Sequence, residues 1–198
     1  MNQVAKSIQS VIDITWPMVV ISIVVLVSIR LAYIIKNKDH LVLYKELLTL
    51  SFIIYILCLF QIVTFQDDVI WSSNNFIPFK EILRYDIGSK LFFKNVLGNI
   101  LLFIPFGWFT TYYLNNKKIY PTIILSIIAS VAIEVVQMSI GRVFDIDDII
   151  LNMCGGIIGF YIYGFIRSMY DRLPNIFKKE VVLNIVSIII LIGIILMI

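Results

Sequence analysis

The sequence predicts an all-α, polytopic transmembrane helical bundle, and its composition is the first reason. Of its 198 residues, 60% are hydrophobic and only 15% are charged, and the mean hydropathy is +0.96. A soluble domain of this length needs more charged residues, because its surface must face water. Lipid around most of the side chains explains the excess of apolar residues.

The second reason is a series of apolar segments of spanning length. About 20 helical residues cross the ~30 Å hydrocarbon core of a bilayer. Long runs of Ile, Leu and Val make the fourth and last segments the clearest, whereas polar residues interrupt the third and fifth. The six predicted spans are Pro17–Ile35, Leu47–Phe65, Phe92–Leu114, Ile119–Ile140, Asp148–Ile166 and Val181–Ile198.

The chain is predicted to form a single membrane domain, 1–198, because no Pro/Gly/Ser-rich linker divides it. Its longest stretch outside the spans is Gln66–Leu91, which mixes apolar and charged residues. Pro78 in this stretch suits the first position of a short helix. We therefore expect a short external segment that lies in the membrane interface or re-enters the membrane.

The distribution of basic residues predicts the orientation of the chain. Ten lysines and arginines fall in the first, third and fifth loops, and six fall on the other side of the membrane. Since cytoplasmic loops carry the excess of Lys and Arg, the odd-numbered loops are predicted to be cytoplasmic and both termini external. The net charge of +3 is small and gives no reason to expect a nucleic-acid partner.

Few residues of the kinds that bind transition metals occur in the chain. The two cysteines, Cys58 and Cys154, lie inside apolar runs, and the single histidine, His40, lies in a basic loop. Neither cysteine has a partner at disulfide or metal-ligand spacing. We therefore expect free thiols in apolar surroundings, no metal site and no cofactor.

Polar residues inside the predicted spans collect in one region, from about Asn95 to Asn152. A centrally placed charge costs roughly 2.5–3.5 kcal/mol on insertion scales, so such residues must face the bundle and find partners. On the third span, Asn95 and Asn99 are four residues apart and share one helix face. Pro105 follows in mid-span, where a kink is expected, although transmembrane prolines commonly shape packing and nothing more.

The fourth span and the connector after it carry charged members of this region. Glu134 and Gln137 are three residues apart, again on one face of a helix. Without a partner, a buried Glu134 can carry a proton at neutral pH. Beside Arg142 it would stay ionised as half of an ion pair, and the sequence allows both.

The connector and the start of the fifth span add three aspartates, at positions 145, 147 and 148. One of them is readily explained as a cap of the helix N-terminus. Asp148 shares a stripe with Asn152, Gly155 and Gly159, at spacings of four, three and four. Because small residues at this spacing permit close helix contact, the stripe is predicted to face protein.

Seven residues of these stripes and of the connector are predicted to lie at similar depth below the external surface, between the third, fourth and fifth spans. They form either a structural network, in which Arg142 bridges two carboxylates, or a ligand-binding site. The candidate ligand-binding residues are Asn99, Glu134, Gln137, Arg142, Asp145, Asp148 and Asn152.

The order and spacing of these residues resemble those of the VanZ-like family. The resemblance covers roughly 74–166, a predicted VanZ-like core, and it rests on the whole series because no single motif in it is specific. The motifs are Asn75-x-Ile77-Pro78-Phe79, Asn99-Ile100-Leu101-Leu102-Phe103-Ile104-Pro105-Phe106-Gly107, Glu134-x-x-Gln137, Arg142-x-x-Asp145-Ile146-Asp147-Asp148, and Asn152-x-x-Gly155 with Gly159.

The resemblance implies a multi-pass protein of the bacterial plasma membrane, related to the teicoplanin-resistance protein of glycopeptide resistance clusters. We expect a non-enzymatic protein that lowers susceptibility to lipoglycopeptides by binding a membrane lipid, a lipid-linked peptidoglycan precursor or the drug. Arg142 would engage an anionic group, while Asp145 and Asp148 would hold Arg142 or bind a cationic group. The amide side chains of the site would supply neutral hydrogen bonds.

Two other classes of protein fit the same residues. A proton-coupled transporter or lipid flippase would use Glu134 as proton carrier and Pro105 with Gly107 as a hinge, although no inverted repeat is visible. An intramembrane enzyme would use Glu134, Asp145 and Asp148 as acid/base carboxylates or Mg²⁺ ligands. Against an enzyme, the region contains no histidine and no recognisable nucleophile pair.

Overall fold

The computed structural model describes residues 3–37, 40, 42–64, 74–115 and 117–197, and within these ranges the regular elements are helices. A π-helical turn, Phe92–Leu97, runs directly into the third α-helix, and 3-10 turns lie at Ile82–Arg84 and Asn175–Lys178. The α-helices are α1 (Gln3–Asn37), α2 (Leu43–Thr64), α3 (Gly98–Leu114), α4 (Tyr120–Ser139), α5 (Ile146–Arg172) and α6 (Glu180–Met197).

The predicted all-α, polytopic fold class is confirmed. Among the described residues, five helices are long and apolar enough to cross a membrane: Trp16–Asn37, Leu43–Ile62, Phe92–Leu114, Tyr120–Ser139 and Ile146–Arg172. The last predicted span corresponds to α6, whose apolar stretch Glu180–Gly193 is shorter than these five. Phe65 and Ile198, the final residues of two predicted spans, lie outside the described residues.

Contacts within the chain divide it into two compact units. The first unit comprises Met1–Gln61 and Met169–Ile198, and the second comprises Ile62–Ser168. The second unit contains α3, α4, the segment before them and α5 up to Ser168, and with these elements the whole predicted polar cluster. The prediction of a single domain over the full chain stays a prediction.

Polar contacts join the helices of the first unit to one another. Arg30 of α1 and Glu46 of α2 form an ion pair with a nitrogen–oxygen distance of 2.8 Å. The backbone N–H of Tyr44 in α2 donates a hydrogen bond of 3.0 Å to the side-chain oxygen of Asn184 in α6.

In the second unit, glycines bring α5 close to α3. A Cβ atom on Gly155 would collide with the carbonyl oxygen of Ile100, and one on Gly159 would collide with that of Ile104. Gly155 and Gly159 are buried together with Asn152. The stripe of α5 that was predicted to face protein therefore does so, and the reason is the close approach that small residues permit.

Candidate functional site

The buried face of α4 is polar along its whole length. Its buried residues recur at spacings of four, four, four and three, whereas apolar side chains such as Ile128 and Val135 are exposed on other faces. This arrangement inverts the pattern of a soluble helix, because lipid replaces water around the outer face. The buried residues of α4 are Thr122, Ser126, Ser130, Glu134 and Gln137.

All seven predicted site residues line one cavity of about 400 Å³ in the second unit, which we call the polar cavity. The structure thus brings together side chains from α3, α4, the connector and α5. Seven further polar or charged residues also line the cavity, and the sequence motifs and helix stripes had included three of them, at positions 75, 95 and 147. The seven are Asn75, Glu81, Arg84, Tyr85, Lys94, Asn95 and Asp147.

Hydrogen bonds around Asp145 tie the end of α4 to the start of α5. The backbone N–H of Asp145 donates to Glu134 Oε2 at 2.8 Å. Its own Oδ1 accepts the N–H of Asp147, in the first turn of α5, at 2.9 Å. Asp145 therefore caps α5 while its backbone holds the Glu134 carboxylate in place.

The electrostatic surroundings of Asp145 raise the pKa of its carboxyl group. Burial is the main cause, and repulsion from Asp147 and Glu81 acts in the same direction. Hydrogen bonds from the Asp147 N–H and the Asn75 side chain act in the opposite direction, because they favour the ionised form.

Asn75 joins the segment before α3 to the connector after α4. Its backbone N–H donates to the carbonyl oxygen of Phe144 at 2.8 Å, and its carbonyl oxygen accepts the N–H of Ile146 at 3.1 Å. Its side-chain Nδ2 donates to Asp145 Oδ1 at 2.8 Å. The Asn75 motif thus belongs to the wall of the polar cavity, although it lies 70 residues before Asp145.

Asp147 is a residue whose role the sequence reasoning missed. Its side chain is 1% exposed, and its two oxygens accept backbone N–H groups from Phe79, Glu81 and Ile82. Phe79 has a left-handed backbone, with φ of 66°, which is unfavourable for a bulky residue. A buried carboxylate that gathers these donors holds the turn after Pro78 in that conformation.

Asn99 connects α3 to α5 across the cavity. Its Nδ2 donates to Asp148 Oδ1 at 2.6 Å and to the carbonyl oxygen of Asn95 at 2.9 Å. Asn95 lies in the π-helical turn, and its own side chain donates to the Tyr85 hydroxyl at 2.9 Å. Burial raises the pKa of that phenol, so Tyr85 stays protonated beside the carboxylates.

Asn152 connects α5 to α4 and is 4% exposed. Its Nδ2 donates to Ser130 Oγ at 2.8 Å. Its Oδ1 is buried and has no hydrogen-bond partner among the described residues. Buried polar atoms in native proteins are nearly always paired, so this oxygen is an unused acceptor of Asn152.

Arg142 and Gln137 complete the set of predicted residues. The backbone N–H of Arg142 donates to the carbonyl oxygen of Gln137 at 3.0 Å, which closes the end of α4. Gly141 between them has a left-handed backbone, with φ of 87°, a conformation that glycine adopts at little cost. The Arg142 side chain is partly buried and lines the polar cavity.

Carboxylates at the cavity do not form a metal centre of the usual kind. Within the described ranges, no group of three His, Cys, Asp or Glu residues is arranged to hold a metal ion. The carboxylates are instead engaged with backbone N–H groups and amide side chains, as in the contacts of Glu134, Asp147 and Asp148.

Comparison with known proteins assigns the family. The sequence profile of the VanZ/LLP1 family matches residues 52–167, more than half of the chain. The chain belongs to the VanZ/LLP1 family. The family that the sequence motifs predicted is thereby confirmed, and the VanZ/LLP1 match includes all seven candidate residues and the Asn75 motif.

A curated relative gives the same assignment over a shorter region. Protein VanZ from Enterococcus faecium is 31% identical over 74 residues, which cover 36% of this chain and 45% of that protein. The chain thus aligns with less than half the length of this VanZ relative. No solved structure matches the chain.

Proposed function

We propose that this protein contributes to resistance against lipoglycopeptides of the teicoplanin type, and that it does so by binding a polar group in the polar cavity. The group would belong to a membrane lipid, to a lipid-linked peptidoglycan precursor or to the drug. Membership of the VanZ/LLP1 family supports the setting. The single observation that carries the binding role is that seven predicted polar residues converge on one cavity of about 400 Å³.

The packing and hydrogen bonding of the residues around the polar cavity favour a binding site over a purely structural network. A network retained only for stability is expected to be closed and fully paired. Here the polar residues surround a space within the range of small-molecule pockets. In addition, Asn152 Oδ1 is buried and has no hydrogen-bond partner in the part of the chain that the structure describes.

The residues divide into those that build the wall and those that contact a ligand. Arg142 engages an anionic group of the ligand, and Asp148 binds a cationic group or steadies Arg142. Gln137 and Asn152 supply neutral hydrogen bonds, because their side chains line the cavity. No covalent step is involved in this function.

The proposed location is the bacterial plasma membrane, with the polar cavity toward the outside and both termini external. The excess of basic residues in the odd-numbered loops supports this orientation. Lipoglycopeptides and peptidoglycan precursors meet the membrane on that side.

The test compares drug susceptibility of cells that express wild-type protein and two cavity variants at matched levels. Glu134→Gln keeps an oxygen that can accept the Asp145 N–H but removes the ionisable carboxyl group, and Arg142→Ala removes the cation. We expect both variants to bring the minimum inhibitory concentration of teicoplanin down toward that of cells without the protein. Lys90→Gln, at an exposed position outside the cavity lining, is the matched control and should keep wild-type protection. Full protection in both cavity variants would contradict the proposal.

A further inference from the structure

The charged side chains around the polar cavity differ in their exposure. Arg84 and Lys94 are exposed, and 73% of the Arg84 side chain is accessible. Asp145 and Asp148 are partly buried, and Glu134 is only 1% exposed. Arg84, which pairs with Glu81 at 3.2 Å, and Lys94 therefore occupy the exposed side of the cavity, and carboxyl groups from α4, the connector and α5 occupy the inner side.

The inner side holds more carboxyl groups than basic groups. Asp145, Asp148 and Glu134 stand against one basic residue there, the partly buried Arg142. A carboxylate can accept about four hydrogen bonds. Glu134 accepts one from the Asp145 backbone and Asp148 accepts one from Asn99. The inner carboxylates thus retain the capacity to bind a cation that also donates hydrogen bonds.

The unpartnered oxygen of Asn152 points to the same kind of ligand. Asn152 lines the cavity and is 4% exposed, and its Oδ1 accepts no hydrogen bond from the described residues. A carbonyl oxygen needs a donor, and an ammonium group supplies three. Carboxyl groups that line the cavity and an unused amide acceptor on Asn152 together favour a primary ammonium.

Apolar side chains stand beside the basic side of the cavity. Leu83 and Ile87 are 82% and 90% exposed, and Leu91, which also lines the cavity, is 57% exposed. They alternate along the chain with Arg84 and Lys94. Exposed apolar residues next to basic ones are typical of a segment that lies among lipid chains and phosphates at a membrane interface.

We propose that the polar cavity binds the headgroup of a phospholipid that carries a primary amine beyond its phosphate, an inference that rests on the proposed function and names its ligand class. The phosphate lies at Arg84 and Lys94, and the ammonium lies at Asp148 and Asn152. The acyl chains rest on Leu91 and the exposed residues before it. The order of groups along such a lipid, from chain to phosphate to amine, matches the apolar, basic and acidic zones of the protein.

The test measures lipid binding to the purified full-length protein in detergent by native mass spectrometry, with lipids that share dioleoyl chains. Phosphatidylethanolamine should bind about tenfold more tightly than phosphatidylglycerol, which lacks the cation, because a hydrogen bond to a charged group is lost. It should also bind about tenfold more tightly than phosphatidylcholine, whose quaternary ammonium has no N–H donor. Free phosphoethanolamine, a headgroup without chains, should compete only weakly. Equal binding of the three lipids would overturn the proposal.

Two pairs of variants locate the ammonium and the phosphate of the bound headgroup. Asp148→Asn and Asn152→Leu should abolish the preference for phosphatidylethanolamine over phosphatidylcholine. Arg84→Gln and Lys94→Gln should instead weaken the binding of all three lipids to a similar extent. A preference that survives in the first pair would contradict the assignment of the ammonium site. If a buried variant fails to fold, the wild-type lipid series and the exposed Arg84 and Lys94 variants still decide the question.

The outcome separates this inference from the proposed function. Lipids that bind without discrimination, while Glu134→Gln still lowers drug resistance, would refute the amine-lipid assignment and leave the resistance role standing. A clear preference for phosphatidylethanolamine, with resistance unaffected by the cavity variants, would support the amine-lipid assignment and refute the resistance role.

Discussion

At the scale of single residues, Asp147 is a buried carboxylate that holds a backbone turn in place. It is 1% exposed and accepts three backbone N–H groups from the turn at 79–82. Asp147→Asn replaces one acceptor oxygen by a donor that faces another donor. We expect it to lower the free energy of unfolding by about 1–3 kcal/mol, the typical cost of a buried unsatisfied group.

Thermal unfolding in detergent measures this effect, and hydrogen exchange at 79–82 should rise in the same variant. Asp86→Asn changes an exposed aspartate in the same segment and should leave both quantities unchanged. Equal stability of the Asp147 and Asp86 variants would contradict the role of Asp147.

Asp145 gives the protein a defined dependence of stability on pH. Its pKa is raised in the folded state from an ordinary value near 3.8, chiefly by burial. The folded state therefore holds this proton more tightly than the unfolded state. As a result, this residue's contribution to stability falls as pH rises from 3.8 through the raised pKa.

Asp145→Asn removes this titration and keeps an oxygen that can accept the Asp147 N–H. We expect the stability of the variant, relative to wild type, to increase with rising pH across that window and then to level off. Denaturant unfolding at a series of pH values measures the difference. A difference that is constant with pH would show that the Asp145 carboxyl group is not shifted.

At the scale of helices, the contact between α3 and α5 depends on glycine. A methyl group on Gly155 would collide with the Ile100 carbonyl oxygen, whereas one on Gly164 of the same helix meets nothing within 4 Å. Gly155→Ala should therefore cost about 1–3 kcal/mol through overpacking. Gly164→Ala should be neutral or stabilise by roughly 0.5–1 kcal/mol, because alanine favours a helix. Similar unfolding temperatures for the two variants would contradict this packing.

The helices and the faces that they bury were predictable from the sequence. The bilayer sets the length of a spanning helix, and its polar side chains must face protein. The third predicted span, Phe92–Leu114, has the bounds of the structure. The α5 stripe faces protein, as its spacing indicated. The π-helical turn Phe92–Leu97 was not predictable, because it differs from an α-helix by hydrogen bonds that residue spacing does not reveal. It is also the turn that carries Lys94 and Asn95 to the cavity wall.

At the scale of the whole molecule, the sequence predicted which polar residues come together at the cavity. It did not predict the hydrogen bonds that hold them in place. The seven candidates were found because polar residues inside spans must face protein. The contacts of Asn75 with Asp145, and of Asp147 with the turn at 79–82, join positions more than 60 residues apart. No local spacing encodes such pairs, so the sequence did not predict that the segment before α3 forms part of the cavity wall.

The proposed orientation makes a prediction for the second unit in intact cells. Cysteine introduced at Lys90, before α3, should react with a membrane-impermeant maleimide added outside. Cysteine introduced at Lys117, after α3, should react only after the cells are permeabilised. Both variants are made in a background without Cys58 and Cys154. The opposite labelling pattern would reverse the proposed topology and place the cavity toward the cytoplasm.

The central claim is that the space inside the polar cavity, and not merely the network around it, serves resistance. Leu102 lines the cavity, while its neighbour Leu101 is 62% exposed and does not. Leu102→Trp therefore fills the space without removing a polar contact, and Leu101→Trp adds the same bulk on the outer face. The decisive measurement is the minimum inhibitory concentration of teicoplanin at matched expression of these two variants. We predict that Leu102→Trp loses protection and Leu101→Trp keeps it; equal protection by both would contradict the claim.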